Sequence, residues 1–121
     1  MTARQNHTVF AWRRQFARSS AGSGTTIPIH GFLLDIFLDY NAAAPATTDV
    51  TVSEETFGNV LVKSDNATDA WCAPRKQTCD PAAADTGAYD LIPLNGPLTI
   101  AVAECDDLDP ALTATIRWMT P

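Results

Sequence analysis

The sequence predicts an all-β fold, either an antiparallel β-sandwich or a jelly-roll-like barrel, with an extended N-terminal arm. Three observations support this prediction. Several short runs alternate apolar and polar residues with a period of two, turn-forming residues separate these runs, and no convincing helical pattern occurs. The chain has 121 residues, which is enough for one domain with a single core.

The N-terminal segment differs from the rest of the chain in charge. Residues 1–30 contain four arginines and no acid, whereas residues 31–121 contain four basic residues and all 14 acids, so the two parts carry net charges of +4 and −10. Ser19–Gly24 consists of Ser, Ala and Gly and predicts a flexible hinge. We therefore expect residues 1–24 to form a basic arm with a hinge, and residues 25–121 to form one β-sandwich domain. The alternative is that the arm packs as the first strand of the domain.

The first part of the domain contains three predicted strands. Phe32–Tyr40 alternates in the manner of a half-buried strand, and Asp49–Glu54 and Val60–Lys63 are short runs that contain β-branched residues. The residues expected to share one face of the first strand are Phe32, Leu34, Ile36, Leu38 and Tyr40.

The middle of the chain is less regular. Trp71–Thr78 predicts a strand interrupted at Pro74, which belongs at a sheet edge or a bulge because proline has no N–H for the ladder. Residues 80–87 have the composition of a surface loop. Tyr89–Leu94 is a short apolar run, and the sequence Asn-Gly-Pro at 95–97 predicts a turn.

The last part of the chain alternates clearly. Leu98–Cys105 places Leu, Ile and Val on one face and small or polar residues on the other. The final run, Leu112–Trp118, also alternates, with Leu112, Ala114, Ile116 and Trp118 on one face. These elements bring the prediction to six or seven strands.

The sequence contains no constellation of residues that predicts catalysis or metal binding. His7 and His30 are far apart, no Cys or His pair has zinc-site spacing, and no nucleophile motif is present. The acidic segment at residues 106–109 lacks the glycine and the distal glutamate of a calcium-binding loop. We expect a protein that is not an enzyme and that uses no metal or cofactor.

Neither a membrane nor a nucleic acid is an expected partner. No apolar run approaches the 18 or so residues of a membrane span, and no secretory signal is recognisable at the N-terminus. The arginines of the arm are too dispersed for a phosphate-binding patch, and the acidic domain would repel a polyanion.

Two groups of residues are candidates for binding a partner protein or another subunit. Aromatic and basic side chains of this kind are favoured at the centres of interfaces. The candidates in the arm are Phe10, Trp12, Arg13, Arg14, Phe16 and Arg18. The candidates in the domain are Arg75 and Lys76, which form its basic cluster.

The three cysteines leave three alternatives open: a disulfide within the chain, a disulfide between subunits, or free thiols. Cys72 and Cys79 flank Pro74 and could close a small loop as a disulfide, with Cys105 left over. In a reducing compartment all three would instead be free thiols.

A succession of segments resembles small β-rich structural proteins of tailed bacteriophages. The resemblance covers residues 25–121, and the three cysteines depart from it. The segments that carry it are IHGF (29–32), LDY (38–40), ATTDVTV (46–52), NVL (59–61), DAW (69–71), PRKQ (74–77) and PLNGPLTIAVAE (93–104).

The resemblance implies a virion protein assembled in the host cytoplasm. We expect a capsid decoration (cement) protein that clamps neighbouring subunits of the major capsid protein, as a homotrimer at threefold positions. The first alternative is a neck or tail component, such as a head–tail connector or a tail accessory ring. The second is a carbohydrate-binding fibre module in which Trp71, Tyr89 and Trp118 would stack on sugar rings, although the alternation favours burial of Trp118.

Overall fold

The structure, a computed structural model, is built from antiparallel β-strands. It describes residues 9–16, 22–106, 108 and 110–120, and it describes residues 9–16 by their backbone pairing alone. The strands of the described residues are β1 (Val9–Phe16), β2 (Gly22–Thr25), β3 (Ile29–Tyr40), β4 (Asp49–Glu54), β5 (Gly58–Lys63), β6 (Ala70–Cys72), β7 (Arg75–Cys79), β8 (Asp85–Leu91), β9 (Pro93–Gly96), β10 (Leu98–Ala103) and β11 (Leu112–Met119).

The strands form two larger sheets and one hairpin. The first sheet has the order β1-β11-β3-β6, and β9 also pairs with β3; the second sheet has the order β2-β10-β4-β5. Strands β7 and β8 pair only with each other among the described residues. Every strand pair is antiparallel, so the predicted all-β sandwich is confirmed.

One hydrophobic core fills the space between the two larger sheets. Alternate residues of β10 and β4 point into it from one sheet, and alternate residues of β11 point into it from the other, as the period-two pattern predicts. The largest fully buried side chains of this core are Ile29, Leu33, Ile36, Leu38, Ile92, Leu98, Ile100, Leu112, Ile116, Val50 and Val52.

The predicted face of β3 is correct in its second half and wrong in its first half. Ile36, Leu38 and Tyr40 are buried as expected, but Leu33 is fully buried and Leu34 is only partly buried. The cause is a shift in register against β11, where Asp35 pairs with Arg117 but Leu33 pairs with Trp118. Leu34 is therefore an extra residue in β3, and such a β-bulge reverses the alternation on one side of it.

A glycine near the start of β3 permits close packing against β11. A Cβ atom at Gly31 would overlap the carbonyl oxygen of Met119. The two strands can approach this closely only because glycine has no side chain.

The expected arm and hinge pair with the two larger sheets. Val9–Phe16 pairs with β11 along its whole length, which agrees with the alternative that the arm packs as a first strand. Gly22–Thr25, part of which was expected in the hinge, pairs with β10. The physical reason is that β10 has β4 on one side only, so its other edge offers free backbone groups to a strand with small side chains.

Candidate interaction surface

The β7–β8 hairpin is an insertion in an edge strand. Both β6 and β9 run antiparallel to β3, with Cys72 opposite Ile36 and Pro93 opposite Phe32. The backbone N–H of Leu33 donates to the carbonyl of Ile92 at 3.0 Å, so residue 92 also lies along β3. Residues 70–72 and 92–96 are thus two halves of one edge strand, and residues 73–91 leave the sheet between them.

Arg75 fixes the base of this hairpin to the sandwich. Its Nη1 atom donates to the carbonyl of Leu34 at 3.0 Å and to that of Pro74 at 2.9 Å. Leu34 is the extra residue of the β3 bulge, and it lies in the gap between β6 and β9 where no neighbouring strand continues the ladder. The guanidinium therefore satisfies a backbone acceptor that the insertion leaves open.

The rest of the hairpin is held by its own contacts. Thr78 and Thr86 bond through their hydroxyl groups at 2.5 Å, and Lys76 lies directly opposite Asp90. At the tip, the carboxylate of Asp80 accepts the backbone N–H groups of Ala82 and Ala84, each at 2.9 Å. These contacts lie within the hairpin and do not involve the core.

The hairpin presents an exposed surface. No residue of β7 or β8 is fully buried, and the Tyr89 side chain is 65% exposed. A two-stranded hairpin with so little burial is only marginally stable in water. A partner that covered it would bury apolar and backbone surface that the chain itself leaves in solvent.

A second exposed aromatic group lies on the outer face of the first sheet. Trp71 is 63% exposed, its ring centroid is 5.4 Å from that of Phe37, and the guanidinium carbon of Arg117 lies 5.2 Å from the indole centroid. Both neighbours belong to strands of the sheet. The contacts therefore hold the indole in place while much of its surface remains in solvent, as in the aromatic anchors of interfaces.

An ion pair supports this indole. Arg117 Nε donates to Asp35 Oδ1 at 2.8 Å, and Arg117 Nη2 donates to Asp35 Oδ2, which makes a bidentate pair. The bonds from Arg117 lower the pKa of Asp35; burial opposes this effect, and a hydrogen bond from Trp71 adds to it. The indole, the guanidinium and the carboxylate thus form one connected cluster.

The structure places the candidate residues in different parts of the molecule. Arg75 and Lys76 lie in β7, where Arg75 has the intramolecular acceptors described above. The side chains of Phe10, Trp12, Arg13, Arg14 and Phe16 belong to β1, which is described by its backbone alone, and Arg18 lies outside the described residues. Sequence reasoning missed Asp35 and Arg117 as a pair, because 82 positions separate them and only the β3–β11 register brings them together.

Of the alternatives for the cysteines, the structure shows free thiols: no disulfide joins Cys72 and Cys79, and Cys105 is also free. Cys72 lies beside Ile36 at the end of β6, while Cys79 lies at the far end of β7, where it pairs with Asp85. Because Cys72 pairs with β3 and Cys79 pairs with β8, the two cysteines belong to different sheets, and no bond joins them.

No group of three or more His, Cys, Asp or Glu side chains that could hold a metal ion occurs among the described residues. In the same part of the chain, no helix is long and apolar enough to cross a membrane.

The fold and the inserted hairpin define an all-β sandwich with an exposed candidate interaction surface. No protein-family model matches this chain, and no curated protein matches it significantly. A solved structure described as the crystal structure of FLHE is similar at 9% sequence identity and a TM-score of 0.49, and the match covers 94% of this chain and 98% of that one. A similarity at this level carries no argument about function.

Proposed function

We propose that this chain is a structural protein that binds other protein subunits, and that it acts as a capsid decoration protein of a tailed bacteriophage. In this proposal it clamps neighbouring subunits of the major capsid protein, as a homotrimer on the surface of the virion. The protein contributes binding and no catalysis.

The observation that carries the proposal is the β7–β8 hairpin. An insertion that interrupts an edge strand and remains exposed contributes little to its own domain, and Arg75 anchors it in one place. Both edges of the hairpin offer backbone groups to a strand of a partner. Tyr89 supplies an aromatic side chain of the type that dominates binding energy at interfaces.

In this proposal the hairpin, and not the N-terminal arm, contacts the capsid subunits. The sequence assigned the capsid contact first to the arm, but the backbone of Val9–Phe16 already pairs with β11. The proposal therefore rests on the hairpin. Many weak contacts of this kind, repeated over an icosahedral shell, would add up through avidity.

The experiment that tests the proposal is the copy number of this chain in purified virions, measured by quantitative mass spectrometry against the major capsid protein. A decoration protein gives hundreds of copies, because icosahedral symmetry repeats each surface site. A count of about six or twelve would instead indicate the neck or tail component. Absence of the chain from the virion would contradict both forms.

A carbohydrate-binding module is the second candidate, and the exposure of Trp71 and Tyr89 favours it. Trp118 is only 6% exposed and cannot serve as a platform. Binding to an array of host glycans that is lost in both Trp71→Ala and Tyr89→Ala would support this candidate over the capsid proposal.

A further inference from the structure

One end of the sandwich contains a cavity that the proposed function does not use. It has a volume of about 370 Å³ and is lined by Glu54, Thr56, Phe57, Pro93 and Asn95. Its walls come from the β4–β5 turn and from β9, so both larger sheets contribute to it. The volume is within the range of small-ligand pockets, about 300–1,000 Å³.

The cavity is bordered by a buried carboxylate. Glu54 is 3% exposed, its Oε1 atom accepts the backbone N–H groups of Thr56 at 2.5 Å and Phe57 at 2.6 Å, and its Oε2 atom accepts that of Asn95 at 3.1 Å. Burial by itself would raise the pKa of Glu54, but these three backbone bonds outweigh it, so the pKa is lowered. The carboxylate is therefore ionised at neutral pH.

Among the residues whose side chains the structure describes, the ion pair is Arg117–Asp35, and the charge of Glu54 has no cationic partner. An ionised carboxylate can accept about four hydrogen bonds. Glu54 accepts three, two on Oε1 and one on Oε2, so one acceptor position on Oε2 is not used by these bonds. Buried charges in proteins are ordinarily paired.

The walls of the cavity specify the kind of cation. Phe57 is 42% exposed, so its ring is available to a planar cation that stacks on it. Pro93 offers apolar surface to an alkyl chain, and the alkyl part of a long basic side chain packs on such surface while its charged end reaches a polar group.

We infer that this cavity binds the arginine side chain of a partner subunit, with the guanidinium donating to Glu54 Oε2 and stacking on Phe57. This inference rests on the proposed function, because it names the chemistry that the partner presents. The net charge of −6 of the whole chain favours the approach of a basic segment.

A simpler role for Glu54 is that its three backbone bonds only close the β4–β5 turn. The test therefore uses two probes that differ in charge and not in shape, Nα-acetyl-arginine amide and Nα-acetyl-citrulline amide. Each is titrated into the ¹⁵N-labelled full chain, and the amide signals of Thr56, Phe57 and Asn95 are followed by NMR. We expect the arginine probe to bind with a Kd on the order of 1–10 mM and the citrulline probe at least about tenfold more weakly.

Three variants complete the experiment. Glu54→Gln should abolish the difference between the probes, and Glu55→Gln, a neighbouring exposed carboxylate outside the cavity lining, should leave it unchanged. If Glu54→Gln does not fold, Phe57→Leu provides the test, because its side chain is partly exposed and its loss should weaken the arginine probe by about threefold or more.

Two outcomes would overturn the inference. One is equal binding of the two probes, and the other is a signal change that Phe57→Leu does not reduce. The probe titration does not depend on the copy number of the chain in virions. A cavity that fails to select arginine can therefore be distinguished from a failure of the capsid proposal.

Discussion

Asp35 and Arg117 show how one pair of residues organises a surface. The carboxylate is largely buried on the outer side of β3, and its bidentate bond to Arg117 positions the guanidinium over Trp71. An exposed indole without such neighbours would sample several rotamers and lose more entropy on binding a partner. The ion pair therefore preorganises the aromatic group.

Replacing this carboxylate should measure its contribution. We expect Asp35→Asn to lower the free energy of unfolding by about 1–2 kcal/mol, because hydrogen bonds to a charged group are lost and the partly exposed guanidinium can be hydrated. Urea unfolding followed by tryptophan fluorescence measures this change. Asp39→Asn, further along the same strand, is the matched control and should change stability by less than about 0.5 kcal/mol.

The pH dependence of the same pair has a defined sign. The folded pKa of Asp35 is lowered, so the unfolded state binds the proton more tightly and the ionised carboxylate stabilises the fold above its unfolded value of about 3.9. This contribution should be lost as the pH falls through the folded pKa. An Asp35→Asn difference that grew on acidification would contradict the assignment.

At the scale of single elements, the bulge in β3 is the feature that the sequence pattern did not reveal. The strand has apolar residues at 32, 33 and 34, so either phase of the alternation satisfies the first half of the strand. The register against β11 selects the phase that buries Leu33.

Two alanine variants test which of Leu33 and Leu34 faces the core. Leu33→Ala should cost about 2–5 kcal/mol because it leaves a cavity in the core, while Leu34→Ala should cost less than about 1 kcal/mol. The free energies of unfolding in urea give the comparison. If Leu34→Ala destabilised the protein more than Leu33→Ala, Leu34 and not Leu33 would face the core, as the sequence pattern predicted.

The hairpin is a separable element, and its geometry specifies how to remove it. Deletion of residues 75–91 would join Pro74 to Ile92. The edge strand would then keep its register along β3, because Ala73 would lie opposite Asp35, Pro74 opposite Leu34 and Ile92 opposite Leu33. A proline is tolerated there because the strand lies at the edge of the sheet.

We expect the deletion variant to fold, with a loss of less than about 2 kcal/mol that arises mainly from the Arg75 hydrogen bond to Leu34. Its incorporation into virions should fall at least about tenfold, as measured by mass spectrometry, if the hairpin provides the contact. Tyr89→Ala in the full chain tests the same surface without a change in topology. Normal incorporation of both variants would exclude the hairpin as the binding element.

At the scale of the whole molecule, the positions of the three cysteines define their reactivity. Cys79 is exposed on the hairpin, Cys72 is half-buried in the edge strand, and Cys105 is buried. Titration with a chromogenic disulfide reagent should therefore give two thiols in the folded chain and three in the unfolded chain. Cys79 should react first, Cys72 more slowly, and Cys105 only on unfolding. A count of one thiol in the unfolded chain without reductant would show that a disulfide between Cys72 and Cys79 forms.

The sequence by itself determined the fold class and most of the strands, because the alternation of apolar residues is a local property. Leu98, Ile100 and Val102 are buried as their spacing predicts, and so is Trp118 at the end of β11. The interruption expected at Pro74 is the boundary between β6 and β7. A pattern of this kind can be seen without knowing which strands are neighbours.

The tertiary structure alone decided which strands became neighbours and which polar groups meet. It paired Val9–Phe16 and Gly22–Thr25 with the sheets, and it joined Glu54 to Asn95 across the sandwich. Each of these contacts joins residues distant in the chain, and each forms because a backbone edge or a buried charge needs a partner. No local pattern contains that information, since it depends on the order of the strands and on their register.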